Sequence, residues 1–435
     1  HALRLRPGSH DSTPTVDHGF GQNACVGDCR HEVCVAVPAG HDMNVQVIGN
    51  ISTRSPAEVR ADVDAMGGDH SPEAAAEGAV LAAREYETEI ILTGLSDTVK
   101  TVLDRFDPDH NLPIEVVHAD EVVEMHDIPG KVLRSKRKSS MKIGLDLLKE
   151  GAASAFVSAG NTGAVLAYST VILRPLKGVD RPAITIQLPT LKGNAILLDA
   201  GANVDCKSNQ LFQFGIMGHV FAEYILGKED PRVGLLSIGE EDGKGNEIVK
   251  EAFQMLKASH INFIGNIEGK EVYRGNADVI VCDGFTGNVA LKISESLAEM
   301  IGTNLKRMFQ SNWASKLGYL LLKPQLDEFK KKVDYSETGG APLLGVNGVV
   351  IIAHGSSSPK AMKNAIQRAC ELSEKKITEH IREDIETNLM DVEASKGTIW
   401  NQLKSIAFGA DSEAKPADTP ETEKPASPEK STDET

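Results

Sequence analysis

The sequence predicts an α/β protein, a three-layer α/β/α sandwich around a mainly parallel, doubly wound sheet. Six times between residues 60 and 370, a short apolar run ends in a polar loop containing glycine, and an amphipathic helical pattern follows. The apolar runs are continuous rather than alternating, which is typical of parallel strands buried on both faces. Their alternation with helices favours right-handed crossovers within one sheet.

The six units follow one another along the chain, and each begins with a predicted strand. The strands and their loops read ADVDAMGGDH, AFVSAGNTGA, NAILLDAGAN, RVGLLSIGEE, DVIVCDGFTG and GVVIIAHGSS. In the first unit, Ser71 before Pro72 predicts a helix start. An N–H in the first turn of a helix has no acceptor within the helix, so a proline, which has no N–H, is tolerated there. Loops that follow parallel strands lie along one edge of a sheet, so we expect all six to share one crevice. Helix N-termini aimed into it would bind an anion without basic side chains.

Composition and known signatures exclude several classes of function. No loop fits the P-loop pattern or a clean G-x-G-x-x-G, so P-loop ATP hydrolysis and standard NAD binding are unsupported. The 435 residues carry a net charge of -16, which argues against unspecific nucleic-acid binding. No apolar stretch approaches the ~18 residues of a membrane span. No ligand-spaced His and Glu set indicates a metal, and no organic cofactor is expected.

The two ends of the chain differ from the body. Residues 1–58 hold Cys25, Cys29 and Cys34 near several histidines, but the spacing does not match a zinc array, so a disordered or non-native extension is expected. Residues 386–408 are predicted to form a helical extension. Residues 409–435 hold eight acids and three lysines without aromatic residues, which predicts a disordered acidic tail.

Seven loop motifs together resemble a known family. In chain order they are MGGDHSPE, SAGNTGA, LLDAGANVDCK, IGEEDGKGNE, GNIEG, VCDGFTGN and GGAPLLGVNGVVIIAHGSS. They resemble the motifs of the phosphate acyltransferase PlsX family over residues 61–375, and we place the matching domain at 59–385. The resemblance implies a fold like that of isocitrate and isopropylmalate dehydrogenases and of phosphotransacetylase. It also implies a homodimer that moves a fatty acyl group from acyl carrier protein to inorganic phosphate, giving acyl phosphate for phospholipid synthesis.

The chemistry of such a reaction suits the polar loop residues. Phosphate is itself the nucleophile, so the protein has to bind it and stabilise the oxyanion, and one well-placed donor contributes about 3 kcal/mol. The predicted catalytic residues are His70, Asn161, Lys207, Asp283 and Asn288. Phosphate and substrate binding is predicted for Gly67, Gly68, Asp69, Gly160, Thr162, Gly163, Asp199, Asn203, Asp205 and Gly287.

Structural roles are open alternatives for some of these residues. Each aspartate is equally suited to capping a helix or holding a loop. His70 is either a proton donor to the leaving thiolate, a phosphate ligand or a loop-packing imidazole. Cys282 is a rival nucleophile for a covalent route, but a buried cysteine after VIV is more typical of a small apolar side chain.

Two segments predict contacts with larger partners. Carrier protein is acidic, and the segment RSKRK supplies Arg134, Lys136, Arg137 and Lys138 as a predicted carrier-binding surface; the alternative is a charged, solvated loop. Residues 305–332 hold seven cations and two acids among apolar side chains, which is typical of a helix at a membrane interface. Because Pro324 divides 305–333, we predict a helical hairpin tip. Its membrane-binding residues would be Trp313, Leu317, Tyr319, Leu320 and Leu321; the alternative is a dimer-packing hairpin.

The sequence therefore predicts a cytoplasmic, peripherally membrane-associated, dimeric acyltransferase. Its partners would be acyl carrier protein and inorganic phosphate, with a membrane glycerol-phosphate acyltransferase consuming the product. Two alternatives remain at this point: an acyl-coenzyme A enzyme like phosphotransacetylase, and a non-catalytic membrane-associated scaffold.

Overall fold

The structure, a computed structural model, describes residues 59–333 and 338–389. The strands are β1 (Arg60–Asp64), β2 (Glu89–Gly94), β3 (Ile114–His118), β4 (Ala155–Ser158), β5 (Ala183–Thr190), β6 (Gly193–Leu198), β7 (Val233–Leu236), β8 (Phe263–Ile267), β9 (Val279–Val281), β10 (Ala341–Leu344) and β11 (Val349–Ile352). The helices are α1 (Glu73–Tyr86), α2 (Ser96–Phe106), α3 (Pro129–Ser135), α4 (Ser140–Glu150), α5 (Thr162–Ile172), α6 (Ser208–Tyr224), α7 (Glu247–Lys257), α8 (Gly284–Gln310), α9 (Trp313–Val333), α10 (Pro359–Glu374) and α11 (377–389).

The strands form one sheet with helices on both faces. Their order is β3-β2-β1-β4-β11-β10-β5-β6-β9-β7-β8. One buried apolar cluster joins the sheet to α1, α2, α6, α7, α10 and α11. A second cluster joins it to α3, α4 and α5. The prediction of a three-layer α/β/α sandwich is confirmed, and each of the six predicted strands leads into its predicted helix.

The predicted single edge for all six loops is wrong. Seven neighbouring pairs in the sheet are parallel, but β10 runs antiparallel to both β11 and β5, and β5 runs antiparallel to β6. The strands β6, β9 and β7 therefore point opposite to β1, β4 and β11. As a result, the loops that follow these two sets of strands leave the sheet in opposite directions.

Helices α8 and α9 contact each other and form a helical hairpin. The chain reverses at Ser311 and Asn312, between the two helices. Pro324 lies inside α9 rather than dividing it, so the predicted break at that proline is wrong. None of the helices that the structure describes is long and apolar enough to cross a bilayer. The predicted extension 1–58, the acidic tail 409–435 and most of the extension 386–408 lie outside the described residues.

Candidate active site

A first cluster of loop residues lies where β1, β4 and β11 end. A Cβ on Gly67 would lie 2.7 Å from the backbone nitrogen of Gly160, so the two loops approach with backbone against backbone. Gly68 has a φ of +102°, which glycine adopts without strain. The Asp69 backbone N–H donates to the Gly355 carbonyl oxygen at 2.7 Å, which joins the loop after β1 to the loop after β11.

The side chains at the mouth of this first cluster are exposed. Asp69, His70 and Thr162 all face solvent, and Gly163 is half-buried beside Thr162. The predicted helix start at Ser71 is wrong. The Ser71 hydroxyl donates to the carbonyl oxygen of Gly67 instead of capping α1, and the helix begins at Glu73. Of the exposed side chains, only Thr162 belongs to the first turn of α5, while Asp69 and His70 lie in the loop after β1.

Asn161 has a structural role that the sequence did not predict. Its Oδ1 accepts the Ala164 N–H at 3.0 Å and so caps α5. Its Nδ2 donates to the carbonyl oxygens of Met125 at 2.9 Å and Asp127 at 3.0 Å. Because both ends of the amide are occupied, the prediction that Asn161 donates to a substrate oxyanion does not fit this structure.

A second cluster lies after β6 and β9, around the buried carboxylate of Asp199. Its Oδ1 accepts the N–H groups of Ile184, Gly201 and Ala202 at 3.0, 3.1 and 3.0 Å. Burial raises the pKa of Asp199, and these hydrogen bonds oppose the rise. Asn203 Nδ2 donates to Asp199 Oδ2 and to the Pro182 carbonyl oxygen. Both side chains therefore hold the loop. The prediction that they bind phosphate does not fit these contacts, because their polar atoms are already engaged.

Asp283 caps α8, which was the structural alternative for this residue. Its Oδ1 accepts the Thr286 N–H and its Oδ2 accepts the Thr286 hydroxyl, both at 2.8 Å. A Cβ on Gly287 would collide with the Asp199 carbonyl oxygen, so this glycine permits α8 to pack against the loop. Asn288 is exposed on the next position of the helix and lies beside Gly201.

The cysteines of the second cluster are buried, whereas its charged residues are not. Asp205 and Lys207 are exposed, and Lys207 stands at the start of α6. Burial raises the pKa of Cys206 to about 11. The pKa of the Cys282 thiol is also raised well above its ordinary value, chiefly by burial and then by the charges of Asp283 and Asp199. A buried, protonated thiol does not suit the covalent route.

The predicted site residues thus fall into two groups instead of one. The first contains Gly67, Gly68, Asp69, His70, Gly160, Asn161, Thr162 and Gly163. The second contains Asp199, Asn203, Asp205, Lys207, Asp283, Gly287 and Asn288. Helix α5 is packed in the same apolar cluster as Ala200, so a continuous buried layer connects the two groups. Among the described residues, no group of three or more His, Cys, Asp or Glu side chains is arranged to hold a metal ion.

Comparisons with known proteins agree with this architecture. A family model described as "Fatty acid synthesis protein" matches residues 59–380. A phosphate acyltransferase from Citrifermentans bemidjiense is 49% identical over 75% of this chain and 93% of its own length. One from Alkaliphilus oremlandii is 50% identical over 74% of this chain and 96% of its own. The chain belongs to the phosphate acyltransferase family. It is therefore an enzyme, an acyltransferase.

A solved structure extends the comparison to the fold. The phosphotransacetylase from Streptococcus pyogenes superposes with a TM-score of 0.53, covering 73% of this chain and 94% of its own, at 18% sequence identity. At that identity the likeness concerns the fold alone. It confirms the implied likeness of fold to phosphotransacetylase.

The basic segment of this phosphate acyltransferase family member divides into paired and unpaired cations. Lys136 Nζ donates to Asp127 Oδ2 and to the Val122 carbonyl oxygen, both at 2.6 Å. Lys138 Nζ lies 2.8 Å from Asp120 Oδ2. Arg134 and Arg137 are exposed, and neither forms an ion pair within 59–333 and 338–389. Lys136 therefore holds a loop, which differs from its predicted docking role.

The helical hairpin of α8 and α9 exposes a large amount of apolar surface. Trp313 is 80% exposed and Leu321 is 71% exposed, and Leu317, Tyr319 and Leu320 are exposed as well. Helix α8 adds an exposed stripe with helical spacing: Phe285, Val289, Ile293, Leu297 and Ile301. Exposed apolar stripes of this length are typical of contact surfaces.

Two features of the site were missed by sequence reasoning. Asp64, the last residue of β1, is buried beneath the first cluster and contacts its loops. The segment 124–127 is attached to the first cluster through Asn161. A buried aspartate within an apolar strand was a signal in the sequence for the first feature. No local pattern indicated the second, because its partners lie far apart in the chain.

Proposed function

We propose that the enzyme transfers a fatty acyl group from acyl carrier protein to inorganic phosphate, giving an acyl phosphate for phospholipid synthesis. The observation that carries the proposal is the open first turn of α5 beside the glycine loops. Asn161 caps the N–H of Ala164 but not those of Thr162 and Gly163, which precede it. Unpaired N–H groups and the positive end of a helix dipole bind phosphate. The names of the relatives supply the reaction class, transfer of an acyl group to phosphate.

In the proposed reaction, phosphate attacks the thioester directly. A phosphate oxygen forms a bond to the thioester carbonyl carbon, the C–S bond breaks, and the thiolate leaves and takes up a proton. The exposed imidazole of His70 is the proposed proton donor, and Asp69 is the proposed partner that orients the substrate. Binding the anion and the thioester in line supplies several kcal/mol of the roughly 7–11 available from orientation.

Lys207 and Asn288 are the members of the second cluster whose side chains remain available to a substrate. Both are exposed, at the start of α6 and in the first turns of α8. Because their loops leave the sheet opposite to those of the first cluster, we propose that they contact a part of the acyl donor away from the phosphate held at α5. Asp283, Asp199 and Asn203 instead keep the loops that carry these two residues in place.

The proposed partners follow from the exposed surfaces. Arg134 and Arg137 are the proposed contacts for the acidic carrier, because neither forms an ion pair with another residue in the described part of the chain. The apolar stripe of α8 is the proposed contact with a second copy of the chain in a homodimer. The tip of the hairpin is the proposed membrane contact, which would bring the acyl phosphate to a membrane glycerol-phosphate acyltransferase and make a cytoplasmic enzyme peripherally membrane-associated.

One assay separates the proposal from the acyl-coenzyme A alternative. Release of free thiol from acyl carrier protein is followed with and without phosphate, and acyl-coenzyme A is tested in parallel. We expect release that requires phosphate and a kcat/KM for acyl carrier protein at least ~10-fold above that for acyl-coenzyme A, because only the carrier contacts the basic surface. Equal or greater use of acyl-coenzyme A would favour the alternative. The scaffold alternative is set aside, because the family is one of enzymes.

A further inference from the structure

Asp64 lies in the interior directly under the first cluster, and its carboxylate meets groups from several elements. It is 1% exposed and ends β1. Its Oδ2 accepts the Ser158 hydroxyl at 2.8 Å, and its Oδ1 accepts the Met66 N–H at 3.2 Å. The Gly67 N–H donates to the backbone carbonyl oxygen of Asp64 at 3.4 Å, and the Ser140 hydroxyl lies near enough to the carboxylate to lower its pKa. One buried side chain therefore joins the loop after β1, the end of β4 and the start of α4.

The contact with Ser158 continues into the proposed phosphate site. The Gly160 N–H donates to Ser158 Oγ at 3.0 Å, so a chain of hydrogen bonds runs from Gly160 through Ser158 to Asp64. Gly160 is followed by Asn161, which caps α5 and precedes the open N–H groups of its first turn. Displacing Asp64 would therefore displace both loops that face the anion.

The packing around Asp64 leaves these loops little freedom to adjust. A Cβ on Gly67 would lie 2.7 Å from Asp64 Oδ2 and 2.7 Å from the Gly160 nitrogen. The carboxylate oxygen and the two backbones are thus in close contact on both sides of Gly67. Burial raises the pKa of Asp64, and its hydrogen bonds with Ser140, Ser158 and the loop oppose that rise.

We propose that Asp64 is a positioning residue for the reaction, which acts through Ser158 to fix the loop after β1 against the start of α5. The inference rests on the proposed function only in assigning phosphate to this cluster. Asp64 → Asn removes an acceptor and places an N–H against other donors, either Ser158 Oγ or the Met66 N–H. The loops then separate, although no group that touches the substrate has changed.

Asp62 provides a matched control. It is a second aspartate of β1, 0% exposed, and lies two residues away on the same face of the strand. It accepts a hydrogen bond from Thr93, on β2, instead of contacting the loops. Asp62 → Asn therefore makes the same Asp-to-Asn change on the same strand without removing a contact of the first cluster.

The test uses calorimetric titration of the full chain with inorganic phosphate, together with the thiol-release assay. We expect Asp64 → Asn and Ser158 → Ala to weaken phosphate binding and lower kcat/KM for phosphate by on the order of 10- to 100-fold. Ser158 → Thr, which keeps the hydroxyl, and Asp62 → Asn should stay within about 3-fold of wild type, since about 3-fold corresponds to less than 1 kcal/mol.

Each result decides between the two proposals. If Asp64 → Asn does not fold, the comparison of Ser158 → Ala with Ser158 → Thr carries the test. Unchanged phosphate binding in folded Asp64 → Asn and Ser158 → Ala would overturn the positioning role, and so would an equal loss in Asp62 → Asn or a wild-type protein that binds no phosphate. If the wild-type protein binds phosphate and the variants weaken that binding, but no carrier thiol is released, the proposed function is overturned and the positioning role stands.

Discussion

Asp199 and Asn203 are joined twice, because Asp199 Oδ2 accepts the Asn203 backbone N–H at 2.7 Å and Asn203 Nδ2 at 2.9 Å. The same amide also donates to the Pro182 carbonyl oxygen at 2.8 Å. A buried pair thus fixes the loop after β6 against the start of β5. The two residues hold the second cluster together, and exposed Lys207 and Asn288 rely on the position of that loop.

Replacing Asn203 should therefore affect stability first. Asn203 → Ala leaves Asp199 Oδ2 with one donor fewer and the Pro182 carbonyl oxygen unpaired in the interior. We expect a loss of about 2–4 kcal/mol in the free energy of unfolding, measured by urea denaturation. Asn209 → Ala, at a half-buried amide on α6, is the control and should cost less than about 1 kcal/mol. A loss no larger than that of the control would contradict the structural role.

Asp62 predicts a pH dependence of stability. Burial raises its pKa from 3.8 to about 8. As the pH rises from about 4 to about 8, the unfolded chain releases a proton that the folded chain keeps, so stability falls by at most ~1.4 kcal/mol per pH unit and stops falling above that window.

Asp62 → Asn removes this proton linkage. The free energy of unfolding of the variant, relative to wild type, should therefore increase between pH 5 and pH 8 and level off toward pH 9. Denaturation curves at four pH values provide the measurement. A difference that does not change with pH would show that Asp62 is ionised in the folded chain.

Sequence reasoning predicted the order of strands and helices well, but not the direction of half of the sheet. An apolar run such as that of β6 is buried on both faces, so its pattern carries no information about which way it points. That direction is set by β5 and β10, two strands outside the six repeated units that run antiparallel to their neighbours. The site, too, was predictable only in part. Glycines such as Gly67 were predictable, because a close approach of two backbones requires them. The partners of Asn161 were not, because Met125 and Asp127 are distant in the chain.

The division between paired and unpaired cations makes a prediction about the carrier. Arg134 → Glu with Arg137 → Glu should raise the KM for acyl carrier protein by about 10-fold at low salt, and the effect should shrink at 0.5 M salt, because charges are screened beyond ~10 Å already at 0.1 M. The KM for phosphate should not change.

Lys149 → Glu is the control for charge reversal, since this exposed lysine lies at the far end of α4. Lys136 → Ala should instead lower stability, because it removes the ion pair with Asp127 and the hydrogen bond to Val122. An unchanged KM in the double arginine variant would remove both arginines from the interface.

Cys282 tests direct attack by phosphate. The thiol is 4% exposed, donates to the Asp199 carbonyl oxygen and has a strongly raised pKa, all of which oppose nucleophilic attack by sulfur. Cys282 → Ala should keep kcat within about 3-fold of wild type, a difference below 1 kcal/mol. Stoichiometric release of carrier thiol by the wild type without phosphate, lost in the variant, would indicate an acyl-enzyme.

The hairpin tip predicts binding to anionic membranes. Leu320 and Leu321 are 65% and 71% exposed on α9, and Lys316 and Lys323 lie nearby on the same helix. Apolar side chains enter the headgroup region while lysines contact anionic lipids, at about 1 kcal/mol for each lysine near the surface. Leu320 → Glu with Leu321 → Glu should therefore abolish co-sedimentation with vesicles containing phosphatidylglycerol, while the fold, checked by circular dichroism, stays intact.

A matched control separates insertion from a general loss of apolar surface. Leu191 is 87% exposed in the turn between β5 and β6, so Leu191 → Glu makes the same chemical change far from the hairpin in the chain. It should leave vesicle binding unchanged, and wild type should bind neutral vesicles more weakly than anionic ones because the lysine contribution is absent. Vesicle binding that survives the double substitution would assign the exposed leucines to contact between copies of the chain, and a shift of the double variant to monomer in sedimentation would confirm that alternative.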